Sequence, residues 1–135
     1  LTVQNNLNEN TKVMSDEAAL KLILANFLSN AIKHSPKKAL INLAESSSSK
    51  GFIRLSVSDE GKGVPKKYKE RVFERFYRID KGRSSETGGT GLGLSISKNL
   101  ALMMGYSVGV EANEPKGATF FIDIKVDEEK SIQAA

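Results

Sequence analysis

Three groups of residues have types and spacings suited to holding a phosphorylated ligand. Asn26, Asn30 and Lys33 are separated by four and three positions, so on a helix they project from one face. Asparagine lowers helix propensity, and two on one stripe need a reason. Their carboxamide oxygens are hard donors suited to Mg²⁺, and the lysine ammonium one turn further is a mobile counter-charge for phosphate oxygens. The second group is Asp59-Glu60-Gly61-Lys62-Gly63. A carboxylate at the end of a strand can accept a hydrogen bond from an exocyclic amine such as that of adenine, and Gly61 and Gly63 let the backbone approach a flat base. The third is Gly88-Gly89-Thr90-Gly91-Leu92-Gly93-Leu94, opening a helix. Free N–H groups at a helix N-terminus, together with the helix dipole, hold phosphate without any particular side chain. No Gly-Lys-Ser/Thr follows, so this is not a Walker loop; a charged loop precedes it instead of a strand, so it is not a Rossmann turn. Taken singly, the three have plain alternatives: a solvated helix face, an ordinary strand-to-loop turn and a flexible surface loop.

The elements that must carry these groups are legible in outline. Ser15 is placed to cap a helix whose first turn holds Asp16 and Glu17, and Leu20, Ile23, Leu24, Phe27 and Ala31 then recur at helical spacing. Pro36 disfavours helical geometry at Ser35, so this helix is expected to end near His34. Ala39 to Glu45 and Phe52 to Ser58 alternate as two strands around a polar turn, a hairpin with Asp59 at its end. Leu1-Thr2-Val3 and Lys12-Val13-Met14 suit two short strands. The charged stretch after Pro65, with Val72, Phe73, Phe76 and Tyr77 embedded, reads as one or two short helices. Leu92, Ile96, Leu100 and Met103 mark a last helix, and Tyr106 to Ala112 and Ala118 to Val126 a final strand pair around a turn at Asn113 to Gly117. Mixed elements, two hairpins and too few βαβ units for a doubly wound sheet predict an α+β fold, a two-layer α/β sandwich with helices on one face. The pattern leaves strand order open.

Composition narrows the field of functions. A chain of 135 residues builds one domain with its own core, residues 1–135. There is no cysteine and only one histidine, His34, which excludes disulfides, thiolate chemistry and multi-histidine metal sites. No apolar run approaches the roughly 20 residues needed to span a bilayer. The net charge is +4, but between Lys62 and Arg83 nine basic residues face three acidic ones, a local field suited to a phosphorylated ligand or an acidic surface. Five of the eleven glycines fall within 82–93. Residues 80–89 offer little apolar surface to offset a backbone ordering cost of about 1–2 kcal/mol per residue, so a mobile loop is expected there, a lid that orders when a triphosphate supplies charge for Arg78, Lys81 or Arg83. The tail from Asp127 is expected to fray, and a chain starting at Leu1 suggests a piece of a longer protein.

In succession, the asparagine stripe, the Asp-x-Gly-x-Gly turn, the phenylalanine-bearing stretch and the glycine loop resemble the ATP-binding catalytic domain of bacterial sensor histidine kinases, within the superfamily shared with DNA gyrase, heat-shock chaperones and mismatch-repair ATPases. Ile23 to Pro36 is similar to that family's asparagine box, Asp59 to Pro65 to its first glycine box, Val72 to Asp80 to its phenylalanine box and Gly89 to Leu94 to its second glycine box. The resemblance implies a Bergerat-type fold: a mixed, mostly antiparallel sheet with about three helices on one face. It implies that Asn30 coordinates Mg²⁺ with help from Asn26, that Lys33 contacts a phosphate, and that Asp59 holds the adenine amine in a pocket shaped by Gly61 and Gly63. Arg75 and Arg78 would face the terminal phosphate, Gly89, Thr90, Gly91, Leu92, Gly93 and Leu94 the triphosphate, and Thr119 the adenine. His34 stands where the family usually has a tyrosine against the base. Pro115 replaces a glycine of the third box, and Met103-Met104-Gly105-Tyr106 lacks a frequent histidine-glycine-glycine.

The implied activity is transfer of the γ-phosphoryl of Mg-ATP to a histidine. Superfamily members that hydrolyse ATP place a glutamate one turn before the Mg²⁺ asparagine; here that position is Asn26, and a carboxamide cannot deprotonate water. The acceptor histidine must lie on a separate dimerisation domain, with a response regulator downstream. The resemblance further implies a monomeric, cytoplasmic domain that contacts neither nucleic acid nor membrane, in a parent anchored in the bacterial inner membrane. Two rival readings are a serine kinase of the anti-sigma-factor type and a catalytically inactive nucleotide-sensing module.

Overall fold

The computed structural model describes residues 2–7, 15–74, 93–113 and 116–126. Helix α1, Glu17–His34, starts one residue later than the sequence suggests: its cap is Asp16, whose side chain accepts a hydrogen bond from Ala19 N at 2.9 Å, while Ser15 Oγ bonds to Asp16 O and Met104 Sδ. Both residue types can cap; the one in extended geometry immediately before the first helical turn does so. At the other end Ser35 is extended ahead of Pro36, and the helix stops at His34.

Five strands form one sheet in the order β1-β2-β3-β5-β4, with β1 at Thr2–Asn6, β2 at Leu40–Ser47, β3 at Phe52–Ser58, β4 at Ser107–Ala112 and β5 at Ala118–Lys125. β1 runs parallel to β2, a pairing that needs a long crossover, and α1 lies within it. All other pairs are antiparallel. The chain between Lys66 and Phe73 makes two single-turn 3₁₀ helices, Lys66–Tyr68 and Arg71–Phe73. Helix α2 covers Gly93–Met103. The expected strand at 12–14, the loop at 80–89 and the tail from 127 lie outside the described residues.

Alternation along the strands separates two faces. Ile41, Leu55, Val57, Val110, Ala118, Phe120, Ile122 and Ile124 are buried beneath Ile23, Phe27 and Ala31 of α1 and Ala101 of α2. Phe120 is the hub, its ring 5.8 Å from Phe27 and 6.0 Å, edge-on, from Phe73. The opposite face carries Arg54, which makes a bidentate pair with Asp123 at 2.8 and 3.0 Å and lies 3.6 Å over the Phe121 ring. The helices thus occupy one layer and the sheet the other, and the described members of the candidate groups sit on the helices or at the strand ends beside them.

Candidate functional site

The floor of the site is the α1 stripe. Asn26 is half-buried and committed: its Nδ2 donates to Gly93 O and to Ser97 Oγ, each at 3.1 Å, and Ser97 Oγ in turn donates to Gly93 O at 3.0 Å. These bonds pin the N-terminus of α2 to the middle of α1. Asn30, one turn on, is half-buried, and among the described residues no hydrogen bond engages its side chain. Lys33 and His34 are exposed at the end of the helix. From Asn26 to His34 the helix rises about 12 Å, comparable with an extended nucleoside triphosphate.

The Asp59 turn closes the far end. Asp59 is only 4% exposed, and its Oδ1 accepts from Gly61 N at 2.9 Å and Ala118 N at 3.0 Å. One carboxylate oxygen is thereby fixed by two backbone donors, while among the described residues no donor engages Oδ2. Glycine is required in this turn for contact. A Cβ on Gly61 would lie on the His34 carbonyl, and one on Gly63, at φ +79°, would come within 2.8 Å of Gly117 O. The neighbours are backbone and cannot yield cheaply. We expect Gly61→Ala to cost about 1–3 kcal/mol, the range for overpacking, and to lower the thermal midpoint by several degrees. A melting curve superimposable on the wild type would show that the turn has room the structure denies it.

The structure therefore joins Asn26 to Gly93 at the middle of α1 and sets the Asp59 turn, through Gly61, on the His34 carbonyl at its end, with Gly63 against Gly117. Leu94 packs at the edge of the core, and Asn30 and Lys33 lie along α1. It does not bring the Thr119 side chain there. Thr119 pairs with Ser58 on the open face of the sheet, its hydroxyl 2.8 Å from Ser58 Oγ and donating to Asn113 Oδ1; its neighbour Ala118 contributes the N–H that reaches Asp59. His34 meets the turn through its carbonyl. Arg75, Arg78, Gly89, Thr90, Gly91 and Leu92 lie outside the described residues. Two residues that the sequence reading left out hold the site together. Ser97 is fully buried four positions after Gly93, a polar residue inside an apolar helix pattern. Asn113, read only as a turn residue, donates from Nδ2 to Asp59 O at 2.9 Å and Ala118 O at 3.1 Å.

Residues 15–128 match the family described as histidine kinase-, DNA gyrase B- and HSP90-like ATPase. The chain is 36% identical over 129 residues to the sensor histidine kinase WalK of Bacillus subtilis, covering 95% of this chain and 21% of WalK. It is 42% identical over 113 residues to the sensor-like histidine kinase SenX3 of Mycolicibacterium smegmatis, covering 84% of this chain and 29% of SenX3. Among solved structures, full-length ShkA in complex with AMPPNP superposes with a TM-score of 0.77 at 32% identity, over 93% of this chain and 25% of that one. The chain thus spans well under a third of the curated relatives described here. With the family matched over residues 15–128 and these identities to sensor histidine kinases, the chain belongs to the histidine kinase-, DNA gyrase B- and HSP90-like ATPase family, as the ATP-binding domain of its sensor histidine kinase branch.

Proposed function

We propose that this domain binds Mg-ATP with the adenine at Asp59 and the phosphates toward Gly93, and donates the γ-phosphoryl to a histidine on a separate helical dimerisation domain. The observation that carries the reading is the Asp59 carboxylate, buried and held by two backbone N–H groups beside the C-terminal end of α1, with the α2 N-terminus bound to Asn26 in the middle of the same helix. Lys33 and the α2 N–H groups supply positive charge for the phosphate oxygens. Gly61 and Gly63 let the turn that carries Asp59 pack directly on the His34 and Gly117 carbonyls. Arg75, Arg78 and the residues Gly89 to Leu92 complete the phosphate end in this reading.

The chain suits a metal ion held mainly by its nucleotide. Among the described residues no three His, Asp or Glu side chains converge, so a protein cage is not built there. Mg²⁺ on phosphates keeps several waters and needs only one or two protein oxygens, a role that fits the Asn30 amide and, behind it, Asn26 Oδ1. Held there, the ion would supply neutralisation of phosphate charge while the γ-phosphoryl leaves the β–γ bridging oxygen and bonds to the acceptor imidazole nitrogen.

The amide at Asn26 also favours transfer over hydrolysis. Its hydrogen bonds to Gly93 and Ser97 are both donations, and a carboxamide offers no base for a water. The test is to incubate the domain with γ-labelled ATP and Mg²⁺, with and without a histidine-bearing helical domain from a related kinase. Acid-labile label on the acceptor is expected, with no steady phosphate release when the acceptor is omitted. Label on serine would point to the anti-sigma-factor type, and turnover at ordinary ATPase rates would sink the transfer reading. The same reading places a response regulator downstream and the domain on the cytoplasmic side of a membrane-anchored parent; no helix among the described residues is long and apolar enough to cross a membrane.

A further inference from the structure

We infer that Asn113 is a positioning residue for base selection: its side-chain amide locks the two backbone segments that aim the Asp59 carboxylate, and so sets the preference for a 6-amino over a 6-oxo purine. This rests on the reading of Asp59 as the adenine contact.

The need for such a lock follows from the ladder. Paired residues of β3 and β5 end at Ser58 opposite Thr119, so Asp59 is just past the last pair. Its Oδ1 is held by donors from two different segments, Gly61 N in its own turn and Ala118 N at the start of β5. A small slide of one segment against the other would swing the carboxylate. Asn113 bridges both: Nδ2 gives one hydrogen to Asp59 O and the other to Ala118 O, while its backbone N–H goes to Gly117 O at 3.0 Å. Ala118 O also accepts from Asp59 N at 2.9 Å, so each of its lone pairs is used.

The amide cannot turn over. Its Oδ1 accepts the Thr119 hydroxyl, and a flip would set that oxygen against two carbonyl oxygens. Because Thr119 spends its one hydrogen on Asn113, the 2.8 Å bond to Ser58 must be donated by Ser58 Oγ. A polar chain Ser58–Thr119–Asn113 thus runs across the open face of the sheet and ends on the backbone behind Asp59. Networks of this kind rigidify when every member is satisfied, as each donor here is.

The experiment compares ADP and inosine diphosphate affinities by calorimetry on the intact domain. Asn113→Leu keeps the side chain's shape and deletes its hydrogen bonds. Affinity for ADP should fall at least tenfold, while that for inosine diphosphate, whose base gains nothing from the carboxylate, stays within twofold. Equal losses for both nucleotides would mean a purely structural role and overturn the inference, as would an unchanged ratio. Should Asn113→Leu fail to fold, Thr119→Val removes the bond that orients the amide, together with the one Thr119 accepts from Ser58, and leaves both Asn113 donations in place. It should narrow the ratio by about threefold, and a wild-type ratio there would equally overturn it. Asp59→Asn run in parallel separates the two readings: if it leaves the ratio untouched the adenine contact itself is wrong, whereas a changed ratio there with none at Asn113 removes the positioning role alone.

Discussion

Replacing Asp59 by asparagine is expected to cost the domain about a hundredfold in affinity for ADP and ATP, and to shift its preference toward 6-oxo purines. The direction follows from the partners of Oδ1. Gly61 N and Ala118 N are both donors, so the amide of the variant must put its oxygen there and turn its NH₂ group outward. The atom facing the base changes from acceptor to donor and meets the donating amine of adenine. A hydrogen bond to a charged group contributes about 1.5–3 kcal/mol, and facing donors add an unsatisfied buried group on top, so a loss of about 2.7 kcal/mol is in range. The outward NH₂ suits the O6 of inosine or guanine, so inosine diphosphate should gain relative to ADP. Since the oxygen keeps its two backbone bonds, the melting midpoint should move little. Unchanged affinity for adenine nucleotides in calorimetry would remove Asp59 from the base pocket.

The second large effect is expected at Asn30. Asn30→Ala should reduce phosphoryl transfer to a supplied acceptor domain by about a thousandfold, about 4 kcal/mol of transition-state stabilisation, while affinity for metal-free ADP stays within about threefold. The two readouts separate because the adenine end of the site is built by Asp59, Gly61 and Gly63 and does not involve Asn30. Asn30 carries no other duty among the described residues, whereas Asn26 also ties α2 to α1 through its Nδ2 bonds to Gly93 and Ser97. Asn26→Ala should therefore behave differently, loosening the junction of α1 and α2 and weakening nucleotide binding itself. Transfer at the wild-type rate by Asn30→Ala would leave the metal without its proposed protein ligand.

What the sequence determined by itself was whatever depends on neighbours along the chain. The alternation from Phe52 to Ser58 is strand β3, because a period of two is imposed by the pleat of one strand whatever lies beside it. His34 ends α1 because Pro36 acts on the residue before it. The stripe of Asn26 and Asn30, and the Asp59, Gly61 and Gly63 spacing, were legible because fixed helical and turn geometry converts spacing into direction. The alternation Ala118, Phe120, Ile122, Ile124 even carried the side on which Thr119 sits, although the resemblance to the third glycine box pointed it at the adenine.

Only the tertiary structure decided what depends on segments far apart in sequence. That β5 inserts between β3 and β4 is not written in either hairpin, since strand order is chosen by which arrangement buries the most apolar surface beneath both helices. The choice of Asp16 over Ser15 as cap depended on where the chain turns into α1, beside Met104 from the other end of the domain. Ser97 and Asn113 acquired their roles from partners 71 and 54 positions away. A buried polar group must find a partner, but nothing local says which, so these side chains became visible as parts of the site only once folding had brought α2 to α1 and β5 to the Asp59 turn.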